Sequence, residues 1–183
     1  MTIIVPKKLF LTRGKGTHQD KLVSFDLALR EAGLSAFNLV KVSSILPPRC
    51  ALISSKEGLR LLEPGQIVFV VLSEETTNQP NRLIAASIGL AIPNIFNHHG
   101  YLYEYTAVDA PPTEVGQRAE WLAATLLGHA FGKEIHEEAI SPEDPHRINI
   151  TEGIHFRTES ITQAAYGAKG KWTTVIAAAV FIT

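Results

Sequence analysis

The sequence predicts an α+β fold. Segments with strand character outnumber those with helical periodicity, and the order of the two kinds is mixed. A composition of 45% hydrophobic and 19% charged residues belongs to a packed globular chain, not a disordered one. The 183 residues suffice for one well-packed core and are short for two, so residues 1–183 are expected to form a single domain.

Lys8–Thr12 reads as the first strand, followed by a Gly14-Lys15-Gly16 loop. The loop lacks the Gly-x-x-x-x-Gly-Lys-Ser/Thr order of a phosphate-binding turn. Residues 21–32 form a helix stopped by Gly33. Phe37–Val42 is a strand that ends at two serines. In Gly65–Leu72 the run Ile67-Val68-Phe69-Val70-Val71-Leu72 is apolar throughout, the mark of a strand buried on both faces. Arg82–Ile92 fits helix or strand by period alone; its small residues and Gly89 favour a strand. Tyr101–Val108 alternates aromatics and is a strand. Thr113 is expected to cap a helix to Phe131, with Val115, Ala119, Leu122, Leu126 and Ala130 as its apolar stripe. Ser141–His146, with Pro142 and Pro145, is a surface loop. Thr151–Ser160 is a weaker strand, and Lys171–Ile182 closes the chain as a strand in the centre of the sheet.

Charge and cysteine content narrow the function. A net charge of −1 with mixed signs leaves no electrostatic footprint for nucleic acid or an anionic membrane. Cys50 is the one cysteine, which excludes an internal disulfide and suits a reducing cytoplasm as a buried small hydrophobe. The N-terminal Met-Thr-Ile-Ile-Val is broken by Pro6-Lys7-Lys8, too short for a signal peptide, and no run approaches the length of a membrane span. A cytoplasmic location is expected. The histidines offer no metal site: His98 and His99 are adjacent and expected on a solvated loop or on opposite strand faces, and no His-Glu-x-x-His occurs.

The segment that carries chemistry is Val42-Ser43-Ser44-Ile45-Leu46-Pro47-Pro48. Pro47 and Pro48 have fixed φ and no N–H, and Pro47 restricts Leu46 to extended backbone, so the preceding strand cannot simply continue. If the serine peptide is strained, Ser44 Oγ can attack the Ser43 carbonyl and give an ester by an N-to-O acyl shift. Elimination and hydrolysis would leave a pyruvoyl group at residue 44. The plain alternative is an ordinary polar turn.

Around this segment the chain resembles the pyruvoyl-dependent arginine decarboxylases. The match runs through Ser24-Phe25-Asp26, Ala28-Leu29, Ala32-Gly33, Asn38-Leu39 and Val42–Pro48. It resumes at Ala85-Ala86-Ser87-Ile88-Gly89-Leu90-Ala91-Ile92-Pro93 and at Tyr103-Glu104-Tyr105, with the spacing kept. It covers most of residues 8–131, and residues from Lys133 take no role from it. The resemblance implies a two-sheet sandwich flanked by helices. It also implies self-cleavage at Ser43–Ser44 into a β chain of residues 1–43 and an α chain of residues 44–183. The pyruvoyl group made from Ser44 would be the covalent cofactor, forming an imine with the substrate's α-amine and serving as the electron sink for decarboxylation. Arginine would go to agmatine and carbon dioxide. Histidine or aspartate as substrate, or an uncut homologue that only binds, are the alternatives.

The resemblance assigns roles to four further residues. Glu104 shares a strand face with Leu102 and Thr106, opposite Tyr101, Tyr103 and Tyr105. By position it is either exposed or partly buried with a raised pKa; the family matches its proton donor there, and burial would serve that task. Asp26 shares a helical stripe with Leu22 and Leu29. It either pairs with Arg30 on the surface or, as in the family, faces the substrate's guanidinium, with Leu29 beside it. Asn38 is either a strand-start amide or a donor to the Ser43 carbonyl. Ser54-Ser55 repeats the dipeptide without the strand and prolines and is expected to stay uncut. Finally, the resemblance implies a homotrimer of αβ units, or a dimer of trimers. Tyr101, Tyr103, Tyr105, Ile95 and Phe96, which lack an evident cover within the chain, are expected at its interface.

Overall fold

A helix, two sheets and a second helix stack in four layers. The computed structural model describes residues 4–151 and 153–183. Met1–Ile3, in the N-terminal apolar run, and Glu152, inside the strand expected over 151–160, lie outside those residues. In chain order the elements are β1 (Lys8–His18), α1 (Lys21–Glu31), β2 (Asn38–Lys41), β3 (Ile45–Leu46), β4 (Ala51–Ile53) and α2 (Ser55–Leu59). They continue with β5 (Ile67–Thr77), β6 (Leu83–Pro93), β7 (Gly100–Val108), α3 (Pro112–Ala130), β8 (Arg147–Thr151), β9 (Ile154–Tyr166) and β10 (Trp172–Ile182). Sheet A has the order β2-β5-β10-β1-β4 and sheet B the order β3-β7-β6-β9-β8. This is the α+β sandwich flanked by helices that the resemblance implies.

Three apolar layers hold the stack together. Leu9, Val71, Ala177, Ala179 and Phe181 of sheet A meet Ile88, Leu90, Leu102 and Leu46 of sheet B between the sheets. Phe10, Val68, Val70, Ile176 and Val180 turn the other way, onto Ala28, Ala32 and Leu34. Ala91 and Phe156 pack outward on Ala123, Ala124 and Leu127 of α3. Strand β10 lies in the middle of sheet A, as expected, and residues Thr173–Phe181 are all buried.

The first strand runs through the expected Gly14-Lys15-Gly16 loop, because a tertiary contact makes those glycines necessary. A Cβ on Gly14 would collide with the Ala28 carbonyl, and one on Gly16 with the Ser24 carbonyl. Helix α1 therefore lies directly on β1 through its small residues, with Ser24 Oγ 2.7 Å from Thr174 Oγ1. The buried face of α1 is Ser24 and Ala28, not the Leu22–Asp26–Leu29 stripe; Leu22 is 74% exposed. Asp20 caps the helix through Val23 N–H, and Gly33 ends it at φ +79°.

Other boundaries also move. Helix α3 starts at Pro112 without a side-chain cap, so Thr113 lies inside its first turn; proline there needs no N–H partner. Its buried stripe is Val115, Ala119, Ala123 and Leu127, offset from the expected Leu122, Leu126 and Ala130. The weak strand over 151–160 is the start of a longer one, β9, which pairs with β6 along its length. Strands β8, β3 and β4 and the short α2 were not anticipated.

Residues 133–150 are tied to α3 by a polar cluster. Glu120, only 7% exposed on the inner face of α3, accepts from Thr158 Oγ1 (2.7 Å), Ser160 Oγ (2.7 Å) and His146 Nδ1 (2.9 Å). The hydrogen bond to Glu120, and then its charge, raise the His146 pKa above the usual 6.5 against a smaller effect of burial; Asp144 and Glu159 add to the rise. A histidine with a raised folded-state pKa contributes fully below its unfolded value, and that contribution is lost as pH climbs through the folded one. Thermal stability is therefore expected to fall as pH rises above the usual histidine range, about 6.5. Glu120→Gln should flatten that part of the profile, measured by thermal denaturation across the series. A variant that keeps the wild-type slope would assign the titration elsewhere.

Candidate active site

The two serines lie where the chain passes from one sheet to the other. Val42 N–H makes the last bond into sheet A, to Val70 O at 3.0 Å. Ile45 opens the pairing in sheet B, opposite Tyr101. Between them Ser43 is exposed and Ser44 half-buried. Leu46, 3% exposed, sinks into the core between the sheets and pins the far side of the junction. Pro47-Pro48 ends β3 after two residues, and the turn closes with Cys50 N–H on Pro47 O and Arg49 at φ 62°. Cys50 is half-buried, and burial pushes its thiol up to about 11, which leaves it unreactive.

Three hydrogen bonds set the geometry at Ser44. Its Oγ donates to Glu104 Oε2 at 2.7 Å. Its carbonyl accepts from Leu102 N–H at 2.8 Å, and the Ser43 carbonyl accepts from Ile45 N–H at 2.9 Å. An apolar cavity of about 440 Å³ opens beside this junction, lined by Val42, Ser43, Ile45, Pro47, Phe69 and Phe181 among others.

Sequence reasoning brought Ser43, Ser44 and Glu104 together and missed Ile45 and Leu102. Those two act through main-chain N–H groups, which carry no side-chain signature. Glu104 faces the inter-sheet side with Leu102, as the strand period requires, but it is exposed, not buried. The reason is local: β3 covers only Tyr101 and Gly100 of β7, leaving Glu104 beyond its end.

The remaining expected residues sit elsewhere in the chain. Asn38 donates from Nδ2 to Gly65 O at 2.8 Å, at the start of β2. From there to Ser43 the strand's rise amounts to roughly 16 Å, so in the uncut chain its amide is on Gly65 and not on the Ser43 carbonyl. Asp26 Oδ2 accepts from Arg30 Nε at 2.8 Å, an i,i+4 pair with the side chains 46% and 64% exposed. Leu29 packs at the margin of the core under α1. Both lie on the outer layer, at least one layer spacing, about 10 Å, from Ser44. His98 and His99 lie on a loop, half-buried: they stack on each other (4.5 Å) and His98 stacks on Phe131 (4.2 Å). Burial and the neighbouring His98 lower the His99 pKa. Among the described residues no group of three or more possible metal ligands occurs. Ser54, the second dipeptide's first residue, caps α2 by accepting from Glu57 N–H.

The family model for pyruvoyl-dependent arginine decarboxylase matches residues 8–183. The chain belongs to this family. It is 46% identical over 183 residues to the pyruvoyl-dependent arginine decarboxylase of Nitrosopumilus maritimus, with both chains covered completely. It is 45% identical over 181 residues to pyruvoyl-dependent arginine decarboxylase 2 of Methanosarcina acetivorans, covering 98% of each. A probable pyruvoyl-dependent arginine decarboxylase of Chlorobium limicola is 45% identical over 185 aligned positions, covering 97% of this chain and 98% of the relative. The family match extends to Thr183, so the residues past Lys133 belong to its pattern as well.

A pyruvoyl group, the family's cofactor, fits residue 44. The serine hydroxyl is held beside an acid, and the preceding carbonyl, of Ser43, already carries a donor. The residue's own carbonyl, which would be conjugated to the new ketone, is held by Leu102 N–H.

Proposed function

We propose that this chain cuts itself between Ser43 and Ser44 and then decarboxylates arginine to agmatine and carbon dioxide. The observation that carries the reading is the 2.7 Å bond from Ser44 Oγ to Glu104 at the sheet crossing. It joins the serine that would become the cofactor to an acid held against its hydroxyl. In the first stage Ser44 Oγ bonds to the Ser43 carbonyl carbon, the peptide C–N bond breaks, and the nitrogen takes up a proton. Elimination then breaks the Cβ–Oγ bond and frees the Ser43 carboxylate, and hydrolysis releases ammonia. The products are a β chain of residues 1–43 and an α chain of residues 44–183. The pyruvoyl group supplies a ketone conjugated to an amide carbonyl, an electron sink for the bond that carbon dioxide leaves.

The chain's own side chains do the rest. Glu104 delivers the proton that replaces the lost carboxylate. In a single chain it is exposed, and closure by a neighbouring protomer would exclude water from it. Asn38 supports processing by fixing the start of β2 through Gly65. Asp26 binds the substrate's guanidinium with Leu29 against its aliphatic part. Because sheet A separates both from Ser44 within one chain, they serve a neighbour's site, which calls for a homotrimer of αβ units or a dimer of trimers. Exposed apolar groups support such contacts: Leu22 and Val23 on α1 beside Asp26, and Phe96, 73% exposed with Ile95 next to it. Tyr101 and Tyr103 do not contribute as expected, since they pack under α3. No helix among the described residues is long and apolar enough to cross a membrane. With Cys50 the one cysteine, we place the enzyme in the cytoplasm.

Intact mass under denaturing conditions should show two fragments, the larger blocked to Edman sequencing because a ketone has no free amine. Ser44→Ala should remain one chain. Wild-type protein that never cuts, or a free amine at residue 44, would reject the reading. Carbon dioxide release from arginine, histidine and aspartate then identifies the substrate.

Glu104→Gln keeps an oxygen to orient Ser44 Oγ and loses the titratable proton. Processing should be largely intact and turnover lower by about 10²–10⁴-fold. Near-normal turnover of fully cut Glu104→Gln would remove Glu104 from the chemistry.

Asp26→Asn should raise the KM for arginine steeply, by about 2–5 kcal/mol in binding if the contact is desolvated. Arg30→Ala should leave KM nearly unchanged. Equal small effects would return Asp26 to a plain surface pair.

Light scattering and activity across one dilution series test the shared site. A fully active monomer is the result that would exclude it.

A further inference from the structure

The bond from Ile45 N–H to the Ser43 carbonyl closes a three-residue turn centred on Ser44. Its position is unusual for a strand. The chain has left sheet A at Val42 and not yet paired in sheet B, so the Ser43 carbonyl has no ladder neighbour. The turn gives it one. We propose that the Ile45 main-chain N–H is the oxyanion donor for self-cleavage; this rests on the cleavage reading above and adds the group that stabilises its transition state.

The chemistry requires such a donor. As Ser44 Oγ bonds to the Ser43 carbonyl carbon, the π pair moves onto the carbonyl oxygen, which becomes negative. The hydroxyl proton leaves as that bond forms. When the carbonyl reforms, the C–N bond breaks and the departing nitrogen takes up a proton, so none is consumed overall. A donor already 2.9 Å from this oxygen strengthens its bond as the charge develops, with no reorganisation needed. Glu104 holds the attacking hydroxyl at the same time.

Flanking residues hold Ile45 in place. Leu46 is buried between the sheets, Pro47 keeps it extended, and Leu102 N–H clamps the Ser44 carbonyl at 2.8 Å. The Asn38 amide, the side-chain donor that the family resemblance suggested, is bonded to Gly65. A main-chain donor does that work here. At Ser54-Ser55 the surroundings differ: Ser54 Oγ caps a helix, and its carbonyl accepts from Gly58 N–H within that helix, with no turn centred on the second serine.

Replacing Ile45 by its α-hydroxy analogue turns the Ser44–Ile45 amide into an ester and deletes this one N–H. Cleavage at Ser43–Ser44, followed by fragment mass over time, should slow by about 10²-fold or more. The matched control is the α-hydroxy analogue of Val42, which deletes the bond to Val70 O and leaves the Ser43 carbonyl untouched. It should slow cleavage no more than a few-fold. Equal slowing in both would mean general loosening of the junction, and an unchanged rate in the Ile45 analogue would mean another donor; either overturns the proposal. Should the Ile45 analogue fail to fold, carbon-13 at the Ser43 carbonyl of uncut Ser44→Ala gives a second reading. Its infrared band is expected below that of an unbonded amide carbonyl, and a band at the unbonded frequency is contrary. If wild type itself never cuts, the cleavage reading fails, an outcome distinct from all of these.

Discussion

Everything at the candidate site depends on a two-residue strand. Ile45 and Leu46 make the only pairing of β3 with β7, and that pairing decides where Ser44 can be. A longer β3 would cover Glu104 and pair the Ser43 carbonyl in a ladder. A missing one would leave the serines in a loop. Two proline rings stop its far end, the crossing from sheet A at Val42 sets its start, and one buried leucine imposes the position. The cost of ordering this junction is carried by the core between the sheets, where Leu46 lies among Leu9, Val71, Leu90 and Phe181.

Most strands were legible because their apolar runs are long and their neighbours ordinary. The failures share a cause. Gly14 and Gly16 look like a break in a strand when read locally, yet they are there because a helix backbone lies directly on them. The same close approach explains the misread face of α1. An amphipathic reading turns large residues inward, whereas here Ser24 and Ala28 face the sheet and Leu22 faces out. Helix α3 shows the effect again: a Cβ on Gly89 of β6 would meet the Ala119 carbonyl, so small residues set its buried stripe.

At the site itself, side chains were legible and main-chain groups were not. Ser43 and Ser44 stood out by their motif, and Glu104 joined them through the family resemblance. The donors from Ile45 and Leu102 depend on register, which no residue type announces. Asp26 had a plausible local partner from the start, Arg30, and pairs with it in one chain, while Asn38 is the strand-start amide, bonded to Gly65 O.

The order of strands in sheet A has a consequence for the life of the cut protein. The first fragment would carry β1, α1 and β2, and β1 lies between β10 and β4, both from the second. A cut at Ser43 therefore removes a covalent link without releasing anything. Before the cut, folding is a first-order event within one chain. Afterwards, any global unfolding separates two molecules that must find each other again, so recovery becomes dependent on concentration. Maturation by such a cut would work as a ratchet: the chain would have one unimolecular opportunity to fold, and acquiring the cofactor would end it.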